Sequence, residues 1–300
     1  MKQIVVLSGK GGTGKTTVTA ALAHLASANG SVVLVDADVD ASNLELVLSP
    51  IVVESNAFSG GRKAVIAPAA CTACGLCQKL CRFEAIVFTG DVYRVEAVAC
   101  EGCASCYYQC PAQAISMDEV VSGSWFRSDT RFGPLFHARL NPGEANSGKL
   151  VAMIRQQAIQ LAQERATDWV IIDGSPGIGC PVIAAVTGVD LALLVTEPTV
   201  SGIADLGRIL QTTQHFHVPS AVCLNKADLN RRQAEEILRY CREKGLPIVA
   251  QIPYDEVVIQ AMVHGVPVTE FADGPVVGQI RLLWEKVQEI VKSSAAFHSA

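Results

Sequence analysis

This chain of 300 residues has no basic run and no excess of positive charge: 24 Lys and Arg stand against 29 Asp and Glu, a net charge of −5. That absence argues against non-specific nucleic-acid binding, which draws its affinity from phosphate neutralisation. No apolar stretch reaches the length of a membrane span without polar breaks. Ile280, Leu283, Val287 and Ile290 recur at helical spacing near the C-terminus. The charges among them are mixed and a small-residue tail follows, so this helix is expected to dock on the core, with no stable membrane attachment. A strand begins by Gln3, so no signal peptide is expected, and the expected compartment is the cytoplasm. Charged residues make up only 18% of the chain and hydrophobic ones 50%, so a large core can be buried. The length suits one α/β domain plus an insert.

What the chain does have is one Gly-rich loop, Gly9-Lys10-Gly11-Gly12-Thr13-Gly14-Lys15-Thr16. It follows Gln3-Ile4-Val5-Val6-Leu7, which reads as a buried parallel strand. It precedes Thr17 to Ala28, Ala-rich and helix-forming. Strand, loop and helix are the context in which Gly-x₄-Gly-Lys-Ser/Thr acts as a P-loop. Glycines let successive N–H groups point into one concavity, and the helix N-terminus adds its positive dipole end. Gly11, Gly12, Thr13, Gly14, Thr16 and Thr17 are thus the expected phosphate cradle. Lys15 would reach the β- and γ-phosphates, and the Thr16 hydroxyl would ligate Mg²⁺.

Further strands are expected at Ser31 to Val35, Trp169 to Asp173, Asp190 to Thr196, Ser220 to Leu224 and Pro247 to Ile252, with helices at Lys149 to Gln163 and Gly202 to His215. The second strand ends in Asp36-Ala37-Asp38, beside the crevice where ligands of parallel sheets bind. On chemistry alone, either aspartate can be an outer Mg²⁺ ligand or a cap for the Ser42-Asn43 segment. Asp40 reads as a solvated turn residue. Asp173, ending an apolar strand, matches Walker B, where the aspartate holds the Mg²⁺ water shell.

A second lysine after the first glycine is not needed to hold phosphate. Lys10-Gly11-Gly12-Thr13-Gly14-Lys15-Thr16 resembles the deviant Walker A motif of the MinD/ParA/nitrogenase-iron-protein superfamily. The resemblance implies a mostly parallel sheet with helices on both faces, MgATP hydrolysis, and a nucleotide-sandwich dimer in which Lys10 reaches the partner's nucleotide. A solvated loop lysine is the alternative. The resemblance also places Asp38 where the attacking water is oriented or activated, and Asp36 near Mg²⁺. Gly174-Ser175-Pro176-Gly177 resembles the switch II loop, with the Gly177 N–H near the γ-phosphate. Asn225 stands where this group contacts adenine, but Asn225-Lys226-Ala227-Asp228 would also suit guanine, so GTP stays open beside ATP. Cys180 shares its offset from Asp173 with a cysteine that binds the bridging cluster of the nitrogenase iron protein. The second cysteine such a site needs is not evident, and a small residue at a helix start is the other reading.

Eleven cysteines without a signal peptide point away from disulfides, and eight fall between Cys71 and Cys110. They form Cys71-x₂-Cys74-x₂-Cys77-x₃-Cys81 and Cys100-x₂-Cys103-x₂-Cys106-x₃-Cys110-Pro111. A shift of 29 residues superposes all four cysteines and also Ala85-Ile86 on Ala114-Ile115. This spacing is that of bacterial two-cluster ferredoxins, in which the fourth cysteine of each run ligates the other cluster. The resemblance implies two [4Fe–4S] clusters, one on Cys71, Cys74, Cys77 and Cys110, the other on Cys100, Cys103, Cys106 and Cys81. Two Cys₄ zinc sites are the alternative, although these usually pair two CxxC units across a longer gap. Arg82 stands where the pattern usually has proline. Cys223 and Cys241 read as ordinary buried thiols.

The expected organisation is a discontinuous nucleotide domain, residues 1–58 and 125–300, with an α+β ferredoxin-like insert at 59–124. Gly60 to Lys63 reads as a linker. Ser122 to Asn146, with Trp125, Phe126, Phe132 and Phe136, reads as a return linker plus a strand near Leu135 to Arg139. Its aromatics are expected either to pack or to meet a partner. Two functions follow from the resemblance: an ATP-driven redox switch, or an ATP-dependent metallocluster-assembly factor. The expected partners are a second copy or a paralogue, and a redox or metallocluster-carrying protein.

Overall fold

The computed structural model describes residues 1–144 and 147–297. Ala145 and Asn146, which end the expected return segment, and the last three residues of the small-residue tail lie outside them. The chain forms two compact units. One comprises Met1–Ser55, Trp125–Arg139 and Ser147–Ala300; the other comprises Asn56–Ser124 and Leu140–Asn146.

The elements in chain order are β1 (Lys2–Ser8), α1 (Lys15–Ser27), β2 (Val32–Asp36), α2 (Leu44–Leu48), β3 (Ile51–Ile66), α3 (Leu76–Leu80), β4 (Ile86–Phe88), β5 (Tyr93–Val95), α4 (Ser105–Gln109), β6 (Ile115–Asp129) and β7 (Pro134–Leu140). After these come α5 (Ser147–Glu164), β8 (Trp169–Pro176), α6 (Cys180–Val186), β9 (Leu191–Thr196), α7 (Gly202–His215), β10 (Ser220–Asn225), α8 (Arg231–Glu243), β11 (Ile248–Ile252), α9 (Val257–Val263), α10 (Val268–Phe271) and α11 (Pro275–Phe297). The main sheet runs β11-β10-β9-β1-β8-β2-β7-β6-β3. Every pairing from β11 to β7 is parallel.

Ile4 to Leu7 are all fully buried, as are Val33 to Val35 and Val170 to Ile172. Strands buried at every residue need cover on both faces, which is why they read as unbroken apolar runs. Ile4, Val6, Leu34 and Ile171 share one core with α1, α2, α10 and α11. The alternate residues Val5, Leu7, Val35 and Ile172 are equally buried on the other face. In α11, Ile280, Leu283 and Val287 enter the core, as expected. No helix among the described residues is long and apolar enough to cross a membrane.

Parallel order places the carboxyl ends of β1, β2 and β8 side by side. Asp36 and Asp173 are Cα partners in register, and Ser8 pairs with Pro176. The P-loop and the Asp36-Ala37-Asp38 turn therefore leave the sheet at the same end, where β8 continues through Gly174 to Pro176, expected as a loop, and only Gly177 follows outside the strand.

Two stretches read as linkers are strands. β3 continues through Gly60 to Lys63, and Trp125 to Asp129 complete β6. A Cβ on Gly60 would come within 2.9 Å of Ser122 Oγ and 3.2 Å of the Phe58 ring. Glycine there marks a close approach inside a strand, where sequence alone suggests a break. The aromatics pack: Phe136 is buried, Phe126 stacks on His137, and Phe132 lies against His24 and beneath Arg131.

In the smaller unit the 29-residue repeat is also a backbone repeat. Left-handed φ occurs at Ala73 and Gly102, at Gly75 and Ala104, and at Glu84 and Gln113. Gly75 and Ala104 open α3 and α4. Ala67 N donates to Ala114 O at 2.8 Å and Glu96 N to Ala85 O at 2.7 Å, the same bond with its two halves exchanged. β4 and β5 pair antiparallel. A small core of Ala64, Ile66, Ile86, Cys106 and Ile115 is surrounded by Cys71, Cys77, Cys81, Cys100 and Cys110.

Candidate functional site

The P-loop begins where β1 ends. Gly12 and Gly14 take φ of 77° and 94°, and Gly14 caps α1 in the left-handed region. Asn225 Nδ2, from the end of β10, donates to Thr13 O at 2.8 Å, and Lys226 Nζ donates to Gly12 O at 3.0 Å. The end of β10, two strands from β1, thus clamps two successive loop carbonyls from outside, leaving the loop N–H groups to other partners. Thr13 is buried, and its Oγ1 has no hydrogen-bond partner among the described residues. Gly11, Gly12, Gly14, Lys15, Thr16, Thr17, Asp38 and Asn225 line one cleft, together with Tyr254, Asp255 and apolar residues of α2 and α9. The cleft holds about 1620 Å³ of non-atom space, open solvent at its mouth included.

The acids sort by environment. Asp173 is buried. Thr16 Oγ1 donates to its Oδ2 at 2.7 Å, and Thr19 Oγ1 lies 3.0 Å from its Oδ1. Burial raises its pKa, against the charge of Lys15 and the two hydroxyls. Asp36 is also buried and raised, by burial first and then by Asp173. Both Asp36 oxygens are engaged by its own loop: Ser42 Oγ (2.7 Å) and Leu44 N (3.1 Å) donate to one, Asp38 N (3.1 Å) to the other. Asp36 therefore braces the turn into α2 and adds negative charge beside Asp173. Asp38 is half-buried and faces the cleft. Burial pushes its carboxyl up to about 6; Lys15 opposes that, while Asp173 and Asp40 add to it.

These acids fit a divalent cation. Two buried carboxylates in register, both resisting ionisation, form an electrostatic load that a cation relieves. Thr16 and Asp173 stand where they would hold it, and a bound Mg²⁺ would supply charge neutralisation for phosphate oxygens.

The switch-like loop is tied to both neighbours. Gly177 N donates to Ser8 O at 3.0 Å, and buried Ser175 Oγ donates to Ala37 O at 2.7 Å. Gly177 has φ of 90°. Lys10 Nζ lies 2.9 Å from Glu197 Oε1, whose other oxygen takes Lys226 Nζ at 2.8 Å. Burial works to raise the Glu197 carboxyl; the hydrogen bonds and charges of Lys226 and Lys10 outweigh it and hold the pKa below its ordinary value. Asp228 Oδ1 accepts from Tyr254 N at 2.7 Å. Glu197 and Thr19 escaped sequence reading, and Ser175 entered it only within the Gly174 to Gly177 stretch. Lys10, Ala37 and Asp173, which they meet, lie 138 or more residues away; the nearer partners are Lys226, 29 residues from Glu197, and Lys15 O, one turn before Thr19.

In the smaller unit, Cys71, Cys74, Cys77 and Cys110 line one hollow with Ile66, Leu76 and Ile115. Cys81, Cys100, Cys103 and Cys106 line another with Ala64, Phe83 and Ile86. They hold about 330 and 300 Å³ of non-atom space, open solvent included. Burial raises the Cys77 and Cys106 thiols, whereas hydrogen bonding from Ser105 lowers exposed Cys103. Among the described residues no three Cys, His, Asp or Glu side chains close on a single metal ion. A tetrahedral zinc needs four sulfurs at about 2.3 Å from one point, whereas these thiols are spread around an apolar hollow. Cys180 begins α6 and is exposed; Cys223 and Cys241 are fully buried.

Three comparisons bear on this geometry. An uncharacterized protein of Methanocaldococcus jannaschii is 32% identical over 297 residues, covering 96% of this chain and 97% of that protein. An iron-sulfur cluster carrier protein of Pyrococcus horikoshii is 25% identical, over 97% of this chain and 86% of its own. The solved septum site-determining protein MinD of Pyrococcus horikoshii, complexed with Mg-ADP, superposes with a TM-score of 0.61 at 19% identity, covering 98% of each chain. That likeness shows the parallel α/β fold. The family signature of the CobQ/CobB/MinD/ParA nucleotide-binding domain matches residues 4–268, and with its P-loop, acid-bearing strand ends and sheet order in place, this chain belongs to that family.

Proposed function

We propose that this protein is an ATP-binding and hydrolysing iron–sulfur protein of the cytoplasm, in which nucleotide-dependent dimer closure gates electron transfer to a redox partner. The observation that carries the reading is the pair of hollows, each lined by three cysteines of one run and the fourth of the other. Two fully ligated [4Fe–4S] clusters there would supply one-electron storage. Four left-handed non-glycine residues, Ala73, Glu84, Ala104 and Gln113, cost roughly 1 kcal/mol each or more, and cluster ligation would offset that.

In the nucleotide unit, Lys15, Thr16 and the loop amides hold the phosphates, Asp38 takes or orients the water proton, and Asp173 with Thr16 holds Mg²⁺. Gly177, whose N–H is held by Ser8 O, carries the state of the γ-phosphate only by exchanging that bond for a phosphate oxygen, and Lys10 reaches a partner subunit, a second copy or a paralogue. ATP is the proposed nucleotide. A guanine-reading role for Asp228 is disfavoured because its Oδ1 already holds Tyr254 N. An ATP-dependent cluster-assembly role is the second reading, supported by the similarity to an iron-sulfur cluster carrier protein. Stable ligation by four cysteines of one chain favours the redox reading.

The test is anaerobic purification, counting of iron and sulfide, and EPR-monitored redox titration with and without a non-hydrolysable MgATP analogue. A nucleotide-dependent shift in a cluster potential or signal supports the gate. Clusters indifferent to nucleotide defeat it, and cluster transfer to an apo-acceptor then tests the assembly reading.

A further inference from the structure

Asp173 is 1% exposed, and among the described residues the hydrogen bonds to its side chain come from α1. Thr16 Oγ1 holds Oδ2 and Thr19 Oγ1 holds Oδ1, at 2.7 and 3.0 Å. Residues three apart share a helix face, so one face of α1 grips both oxygens of the carboxylate that ends β8. The two hydroxyls differ in setting. Thr16 lines the cleft, whereas Thr19 is fully buried and touches no ligand space.

We propose that Thr19 is a positioning residue for the metal end of the nucleotide site: it fixes Asp173 through Oδ1, so that Oδ2 stays presented to Thr16 and the cleft. This rests on the cleft being a Mg²⁺–nucleotide site. Three observations support it. Thr19 Oγ1 also lies 3.0 Å from Lys15 O, the usual back-bond of a helix threonine. A hydroxyl has one proton, and a carboxylate kept ionised by a bound cation accepts it more strongly than a helix carbonyl that already has its amide donor. Next, Asp36 stands in register beside Asp173 and is locked by Ser42, Leu44 and Asp38. Repulsion between the two acids therefore falls on the Asp173 side chain, and Thr19 resists its rotation. Finally, Thr16 Oγ1 gives its proton to Oδ2, which leaves its lone pairs for a cation while that oxygen holds its place.

The experiment uses the full chain with Thr19→Val, Thr19→Ala and Thr19→Ser. Mn²⁺ binding is followed by its EPR signal, with ADP present and absent, and a fluorescent ADP analogue reports nucleotide affinity without metal. Outer partners of metal sites are worth about 10–100-fold in metal affinity. Thr19→Val is expected to weaken nucleotide-dependent Mn²⁺ binding by about tenfold or more, and Thr19→Ser to restore it to within about threefold. Metal-free nucleotide affinity should stay within about threefold. Thr19→Ala repeats the test if the valine variant does not fold. Mn²⁺ affinity held within about threefold in the hydroxyl-free variants overturns the proposal, as does an equal loss in Thr19→Ser, which would mean a packing role. Failure of the wild-type protein to bind Mn²⁺ in the presence of ADP instead defeats the nucleotide-site reading beneath it.

Discussion

Lys10 Nζ and Glu197 Oε1 form a half-buried ion pair 2.9 Å apart within one chain. Thr199 Oγ1 adds a contact at 2.9 Å. The lysine assigned to a partner's nucleotide is thus held at home, on a carboxylate that also anchors Lys226 to the P-loop. The proposed closure would have to exchange that pair for a phosphate contact. Lys10→Ala should leave nucleotide affinity within a few-fold and abolish hydrolysis and nucleotide-dependent dimerisation. Glu197→Gln keeps the shape and removes the charge, so the dimer should form at lower protein concentration. Analytical ultracentrifugation with MgATPγS reads both effects, and normal turnover in Lys10→Ala would remove the sandwich-dimer model.

In its proposed role as base, Asp38 links activity to pH. Its folded pKa of about 6 lies above the ordinary 3.8, chiefly through burial. As a base it must be ionised, so kcat/KM should fall as pH drops through that value. Stability runs the other way. Below the unfolded pKa both states are protonated. As pH rises, the unfolded chain ionises first, so this group's penalty grows to its full size above the folded pKa. Asp38→Asn should therefore stop hydrolysis, retain bound nucleotide, and stabilise the protein more at pH 8 than at pH 4.5. Equal melting shifts at the two pH values would exclude burial of this carboxylate as the cause.

Gly14→Ala tests the outer clamp of the loop. The new Cβ would stand 2.3 Å from Asn225 Nδ2, at a φ of 94°. Either the Asn225–Thr13 bond breaks or the loop shifts, at a cost of about 1–3 kcal/mol. Nucleotide binding should be lost while the far-ultraviolet circular dichroism is kept. Retained affinity would show that the clamp does not shape the loop.

The cysteine partition predicts paired outcomes. Cys103→Ser and Cys81→Ser should remove the same EPR signal and about half the iron, whereas Cys74→Ser and Cys110→Ser should remove the other. Nucleotide affinity should stay within a few-fold in all four. Removing iron altogether should open the 56–124 segment to protease first, because that small unit has little core of its own. Equal loss of both signals in Cys81→Ser would refute the exchange of fourth cysteines.

Some of this architecture was legible from one end of a segment to the other. An unbroken apolar run such as Ile4 to Leu7 declares a strand covered on both faces, and a Gly-rich loop before a helix declares an anion site. Both signals lie within a dozen residues, and backbone sterics and dipoles act over that range. The cysteine repeat is equally local, since its spacing sets which thiolates can share one turn. Gly60 misled because glycine signals a break by its flexibility, whereas here it serves a close approach to Ser122 across the sheet.

What the chain determined by itself was therefore chemistry at short range: the P-loop, the acids that end strands, two cysteine runs, and the helical face of α11. Only the tertiary structure decided how those pieces meet. Strand order set Asp36 beside Asp173, brought Glu197 to Lys10, and placed Thr19 against a carboxylate 154 residues away. The reason is physical: local preferences act through torsions and neighbouring dipoles, while contacts between distant residues exist only once burial of both sheet faces has fixed the order of the strands.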